Sequence, residues 1–174
     1  MNAFARAGIV TAGYVLAFLV ASAVVAIRVA STSGPEAQAS SGMYAFGDSV
    51  VFVTVFGLLA LVPTGIALFW LRPYRVVWQA IAFGALVMSL TGVSAAVLFA
   101  VGRHLLGASP LALLAAASVL RMLLAPLLSV TFFMCAALAP ERSPRLLFLV
   151  AAGTEAVVTL YAVAVWFLPL WLGT

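Results

Sequence analysis

Two ionisable side chains stand far from the ends of long apolar runs in this 174-residue chain: Arg121 and Glu155. Placing a charge at the centre of a hydrocarbon layer costs about 2.5–3.5 kcal/mol or more, so such a residue faces a bundle interior, a water-filled cavity or a partner. The chemistry open to these two is correspondingly narrow. They can form a salt bridge, the guanidinium can hold an anion, or the carboxyl can carry a proton. Their neighbours at helical spacing are small or polar. Ser118, Ala125 and Ser129 share a stripe with Arg121, while Ala152 and Thr159 lie one turn either side of Glu155. Arg121, Glu155, Ser118, Ser129 and Thr159 are therefore the candidate intramembrane polar site.

Sequence counting does not decide whether the two charges meet. Arg121 precedes the turn at Arg142 by 21 residues and Glu155 follows it by 13. The difference of 8 is roughly 12 Å of helix. Helical side chains also lean toward their own N-terminus, which separates the pair further. Counting from the helix starts instead places both near mid-bilayer. Three arrangements stay open: an intrachain salt bridge, Arg121 snorkelling to the outer headgroups, or either charge meeting a partner or ligand.

Little other chemistry is available. His104 is the only histidine, and one imidazole completes neither a bis-imidazole haem site nor a zinc site; an interfacial, solvated position is expected. Cys135 is the only cysteine, which rules out an intrachain disulfide and leaves the reading of a small buried hydrophobe. HExxH, helically spaced carboxylate pairs, a phosphate-cradling glycine loop and a nucleophile elbow are all missing. No cofactor and no metal are expected, and an enzyme is disfavoured. The formal charge of +4 comes from eight arginines without a lysine, scattered over short turns and helix ends. A nucleic-acid partner needs a basic, solvated face and is not expected.

The elements that position Arg121 and Glu155 follow from composition. The chain is 67% hydrophobic and 7% charged, against about 25% charged in a soluble domain. This excludes a water-soluble globule. The pattern predicts an all-α membrane protein, a bundle of five transmembrane helices over about 8–30, 50–71, 77–101, 110–138 and 146–172, in one domain with an extracytoplasmic loop at 31–48. Each run meets the roughly 20 apolar residues that a span needs. A cleaved signal peptide is the rival reading of the first run. Its length and the polar stretch between Arg28 and Ala37-Gln38-Ala39 speak against that.

Small residues at four-residue spacing (Gly13, Ala17, Ala21) and the face Ala85, Ser89, Gly92, Ala96 suit close helix contact. Pro63 predicts a kink in the second span, and a kink at Pro126 is one way to shorten a fourth span that looks too long. Asp48 is expected to cap the second span, with Tyr44 in the interface beside it. Trp70, Arg72, Tyr74, Arg75 and Trp78 predict a turn at headgroup level.

Placing the N-terminus inside puts Arg6, Arg72, Arg75, Arg142 and Arg145 on the cytoplasmic side and only Arg28 and Arg103 outside, so N-in/C-out is expected. Arginine without lysine, with abundant Ala, Val and Leu, suggests a bacterial source and hence the inner membrane. The expected partners are the lipid bilayer and, through the small-residue faces, a protein partner or second copy. The expected role is a packing or accessory component of a membrane complex. A small transporter or channel is the alternative, with Arg121 attracting an anion or Glu155 relaying protons.

Overall fold

The computed structural model describes residues 2–32, 40–102 and 110–172. His104 and the Ala37-Gln38-Ala39 stretch lie outside the described residues. Among these residues there are six helices and no strand: α1 (Ala3–Ser31), α2 (Ser41–Trp70), α3 (Arg75–Gly102), α4 (Pro110–Leu123), α5 (Ala125–Leu138) and α6 (Arg142–Leu172). Four helices are long and apolar enough to cross a membrane, and α4 with α5 makes a fifth candidate if their 43° bend is taken as one broken span. The chain divides into two compact units, 1–70 and 71–174.

The four unbroken helices run 28–31 residues. At 1.5 Å per residue that is about 42–47 Å, the hydrocarbon core plus both headgroup layers. The α4–Leu124–α5 run, from Pro110 to Leu138, falls within the same range of lengths, so the fourth candidate span is not oversized relative to the others.

Unit 1 is an antiparallel pair of α1 and α2. The expected small stripe is its seam: Ala17 and Ala21 are buried, with Ala60 of α2. Gly13 faces Pro63 so closely that a Cβ on Gly13 would lie 2.8 Å from the proline Cβ. Helix α2 runs unbroken through Pro63, although the ring removes the donor that the Leu59 carbonyl needs. Beside it, Thr64 Oγ1 bonds the Ala60 carbonyl at 2.6 Å and meets the Tyr14 hydroxyl at 2.7 Å. Arg6 sits over the Trp70 ring at 5.8 Å at one end, and Phe18 meets Phe52 edge-on at 5.6 Å.

The other end corrects two expectations. Helix α2 starts at Ser41, so the segment expected as loop to residue 48 is helical from there on, and Asp48 is not an N-cap. Asp48 instead pairs with Arg28 of α1, Nε to Oδ1 at 3.3 Å, and Arg28 Nη1 donates to the Gly47 carbonyl. A cation from the neighbouring helix satisfies the carboxylate, so the helix has no need to begin at it.

Unit 2 is built around α6, which packs on α3 and α5, while α4 lies against α3. The predicted α3 face holds at Ala85, Ser89 and Gly92, which are buried; Ala95 is buried in place of the half-buried Ala96. Trp78 corrects another expectation. It is 1% exposed and packs edge-on against Phe148 at 6.1 Å, not out in a headgroup belt. Its indole N–H donates to the Leu71 carbonyl at 3.1 Å, so the ring is buried with no orphaned donor. Nearby, Arg72 Nε donates to the Leu138 carbonyl (3.2 Å) and Arg145 Nη2 to the Ala139 carbonyl (2.8 Å), placing cations at the negative end of α5. Arg75 pairs with Glu141 at 2.6 Å. The turns at 71–74 and 139–141 thus meet at one end of this unit.

Gly13→Ala is expected to destabilise unit 1 by about 1–3 kcal/mol through overpacking against the rigid proline, despite the better helix propensity of alanine. Gly8→Ala, with nothing within 4 Å of the new methyl group, is expected to be neutral or slightly stabilising. Reversible unfolding in mixed micelles measures both; equal effects would refute the seam.

Candidate functional site

Three helices of unit 2 build the site. Helix α4 supplies Arg121 from its last turn, where a cation also complements the helix dipole. Helix α6 supplies Glu155 from among the buried residues Ala151, Ala152 and Val158. Helix α3 supplies Thr91, Gly92 and the Met88 carbonyl.

The two charges pair through both carboxylate oxygens. Arg121 Nη2 bonds Glu155 Oε1, and Nη1 bonds Oε2 at 3.1 Å. Nη2 also donates to the Met88 carbonyl (2.8 Å) and Nε to Thr91 Oγ1 (2.9 Å). The Thr91 hydroxyl itself donates to the same Met88 carbonyl at 2.6 Å. Four of the five guanidinium N–H groups are thereby engaged. Glu155 is fully buried, and the Arg121 side chain is 16% exposed. A fork–fork pair of this kind combines charge with fixed geometry.

Gly92 makes the crossing possible. A Cβ there would lie 3.0 Å from Arg121 Nη2 and 3.2 Å from Glu155 Oε2. The bare backbone of α3 is the saddle over which the ion pair lies, and any side chain at this position crowds it.

The residue counts that set the charges 12 Å apart assume one straight fourth helix lying beside the fifth span. Neither assumption holds. The chain bends at Leu124, because Pro126 cannot donate to the Met122 carbonyl and instead occupies the first turn of a new helix, where its missing N–H goes unneeded. Helix α4 then lies on α3, and Arg121 reaches Glu155 across α3. Arg121 does not snorkel.

Of the other predicted site residues, none bonds the Arg121 guanidinium or the Glu155 carboxylate through its hydroxyl. Ser118 bonds the Ala115 carbonyl (2.6 Å) and Thr159 the Glu155 carbonyl (2.8 Å), each within its own helix. Ser129 crosses from α5 to the Ala152 carbonyl of α6 at 3.0 Å, one turn from Glu155. Thr91 and Met88 were not legible as site residues, and Gly92 was legible only as part of a smooth helix-contact face. An apolar groove of about 420 Å³ between α5 and α6, lined by Ser129, Phe133, Leu149 and Gly153 among others, has neither Arg121 nor Glu155 in its wall. Among the described residues no group of three or more His, Cys, Asp or Glu is placed to hold a metal.

No family model, curated protein or solved structure matches this chain. The site's own chemistry is therefore the guide to its role. A closed, overall neutral ion pair fixes α3, α4 and α6 against one another. An incoming anion or a transferred proton would have to break it first.

Replacing either partner alone, Arg121→Met or Glu155→Met, is expected to cost about 3–5 kcal/mol by stranding the other charge in an apolar core. The double variant should cost far less than the two together. A double-mutant cycle on unfolding free energy measures this coupling, and a value near zero would contradict a structural lock.

Proposed function

We propose that this chain is a five-span protein of the bacterial inner membrane, N-in and C-out, acting as a packing component of a larger membrane complex. The observation that carries this reading is the closure of the Arg121–Glu155 pair. Both carboxylate oxygens and four guanidinium N–H groups are engaged within the chain, which favours a structural lock over a transport site. The alternative of anion or proton flux would need one of these groups free.

Outer surfaces support the partner role. Gly84 of α3 and Gly153 of α6 are exposed, and nothing lies within 4 Å of a Cβ built on either. Such bare positions let a foreign helix backbone come close. The contacts through small-residue faces would be made with a protein partner or a second copy. The orientation draws support from the gathering of Arg72, Arg75, Arg142 and Arg145 around the two turns that meet at one end of unit 2, as the positive-inside rule expects of a cytoplasmic end.

Extraction in a mild detergent is expected to yield a particle well above the 18.1 kDa of one chain, with a constant stoichiometry of partner or self. A stable monomer would overturn the assignment. Reconstituted vesicles are expected to pass neither protons nor chloride above the protein-free background, and a flux lost in Glu155→Gln would favour the transporter.

A further inference from the structure

The end of unit 2 where the two turns meet is its most strongly charged surface. Among the described residues, Arg72, Arg75, Arg142 and Arg145 gather there with a single acid, Glu141, giving four positive charges against one negative. Their roles divide. Arg72 and Arg145 are tied to the terminal carbonyls of the α5 end. Arg75, whose side chain is 80% exposed, and the exposed Arg142 present their charge outward.

An apolar collar borders these arginines. Tyr74 is 59% exposed, Val76 77% and Leu146 62%, each within a few residues of an arginine in the chain. A soluble anion or an acidic peptide has no use for such a collar. An anion attached to acyl chains does, because arginine stems and an apolar collar suit hydrocarbon while guanidinium groups suit the headgroups.

We propose that this end of unit 2 is a binding surface for anionic phospholipid headgroups, presented by Arg75 and Arg142 and held back by Glu141. The pairing of Glu141 with Arg75 takes up one of the outward charges. Removing the acid therefore strengthens lipid binding, while removing either arginine weakens it. This opposition of signs is not expected of a surface that merely tolerates charge.

The test uses the full chain in phosphatidylcholine vesicles, with spin-labelled phosphatidylglycerol and spin-labelled phosphatidylcholine as alternative probes. The readout is the fraction of each probe immobilised at the protein. Wild type is expected to prefer phosphatidylglycerol. Arg75→Gln and Arg142→Gln should each lower the preference by up to about fivefold, Glu141→Gln should raise it, and about 0.5 M salt should weaken it. Circular dichroism confirms that each variant keeps its helices, as substitution of exposed side chains should allow. Equal immobilisation of the two probes by wild type, or a preference that ignores all three substitutions, would overturn the proposal. So would its abolition by inorganic phosphate at the ionic strength of a chloride control, since the surface would then take a free anion.

Discussion

A carboxylate with no exposure to solvent, set in the most crowded helix of unit 2, imposes terms on everything around it. Glu155 needs a cation, and the cation must arrive with its own donors satisfied. Arg121 meets the first need by forking onto both oxygens, and Met88 and Thr91 meet the second from α3. Gly92 then has to lack a side chain, because the pair lies across it. The break at Leu124 frees α4 from the line of α5, which lets it lie against α3. Each of these features looks minor alone. Together they are the consequence of one desolvated charge.

The two units solve helix packing by different means. Unit 1 relies on shape along its length, with Gly13 against Pro63 and alanines between, and adds polar or charged contacts near its ends and at Tyr14–Thr64. Unit 2 relies on a core of mixed size: Trp78 against Phe148 near one end, the ion pair in the middle, and Ala95, Met122, Ala125 and Val158 beyond it. Dispersion contacts at close-packed seams carry unit 1. In unit 2 a charge pair adds directional constraint, and truncating either member leaves the other buried without a partner.

Much of this was legible from residue types. Runs of apolar residues marked the helices, and the stripe Gly13, Ala17, Ala21 marked the seam of unit 1. Two lone charges in apolar runs marked the centre of unit 2. What was not legible depended on partners in space. Asp48 carries the local signature of a cap, and only the arrival of Arg28 from another helix shows why it is not one. Trp78 has the composition of a headgroup belt, but the Leu71 carbonyl accepts its N–H and the ring turns inward. The meeting of Arg121 with Glu155 was one of three arrangements left open, because a kink at Pro126 can be read from the sequence but the helix that α4 turns onto cannot. Thr91 and the Met88 carbonyl leave no sequence signal, since a threonine and a backbone oxygen become ligands only when a guanidinium is brought to them.

The direct test is a solid-state NMR distance between the Arg121 guanidinium nitrogens and the Glu155 side-chain carboxyl carbon, measured on specifically labelled protein in lipid bilayers. A separation within ion-pair range, about 4 Å, is the expected result. A pair with no measurable dipolar coupling would contradict the closed lock and with it the packing role assigned to this bundle.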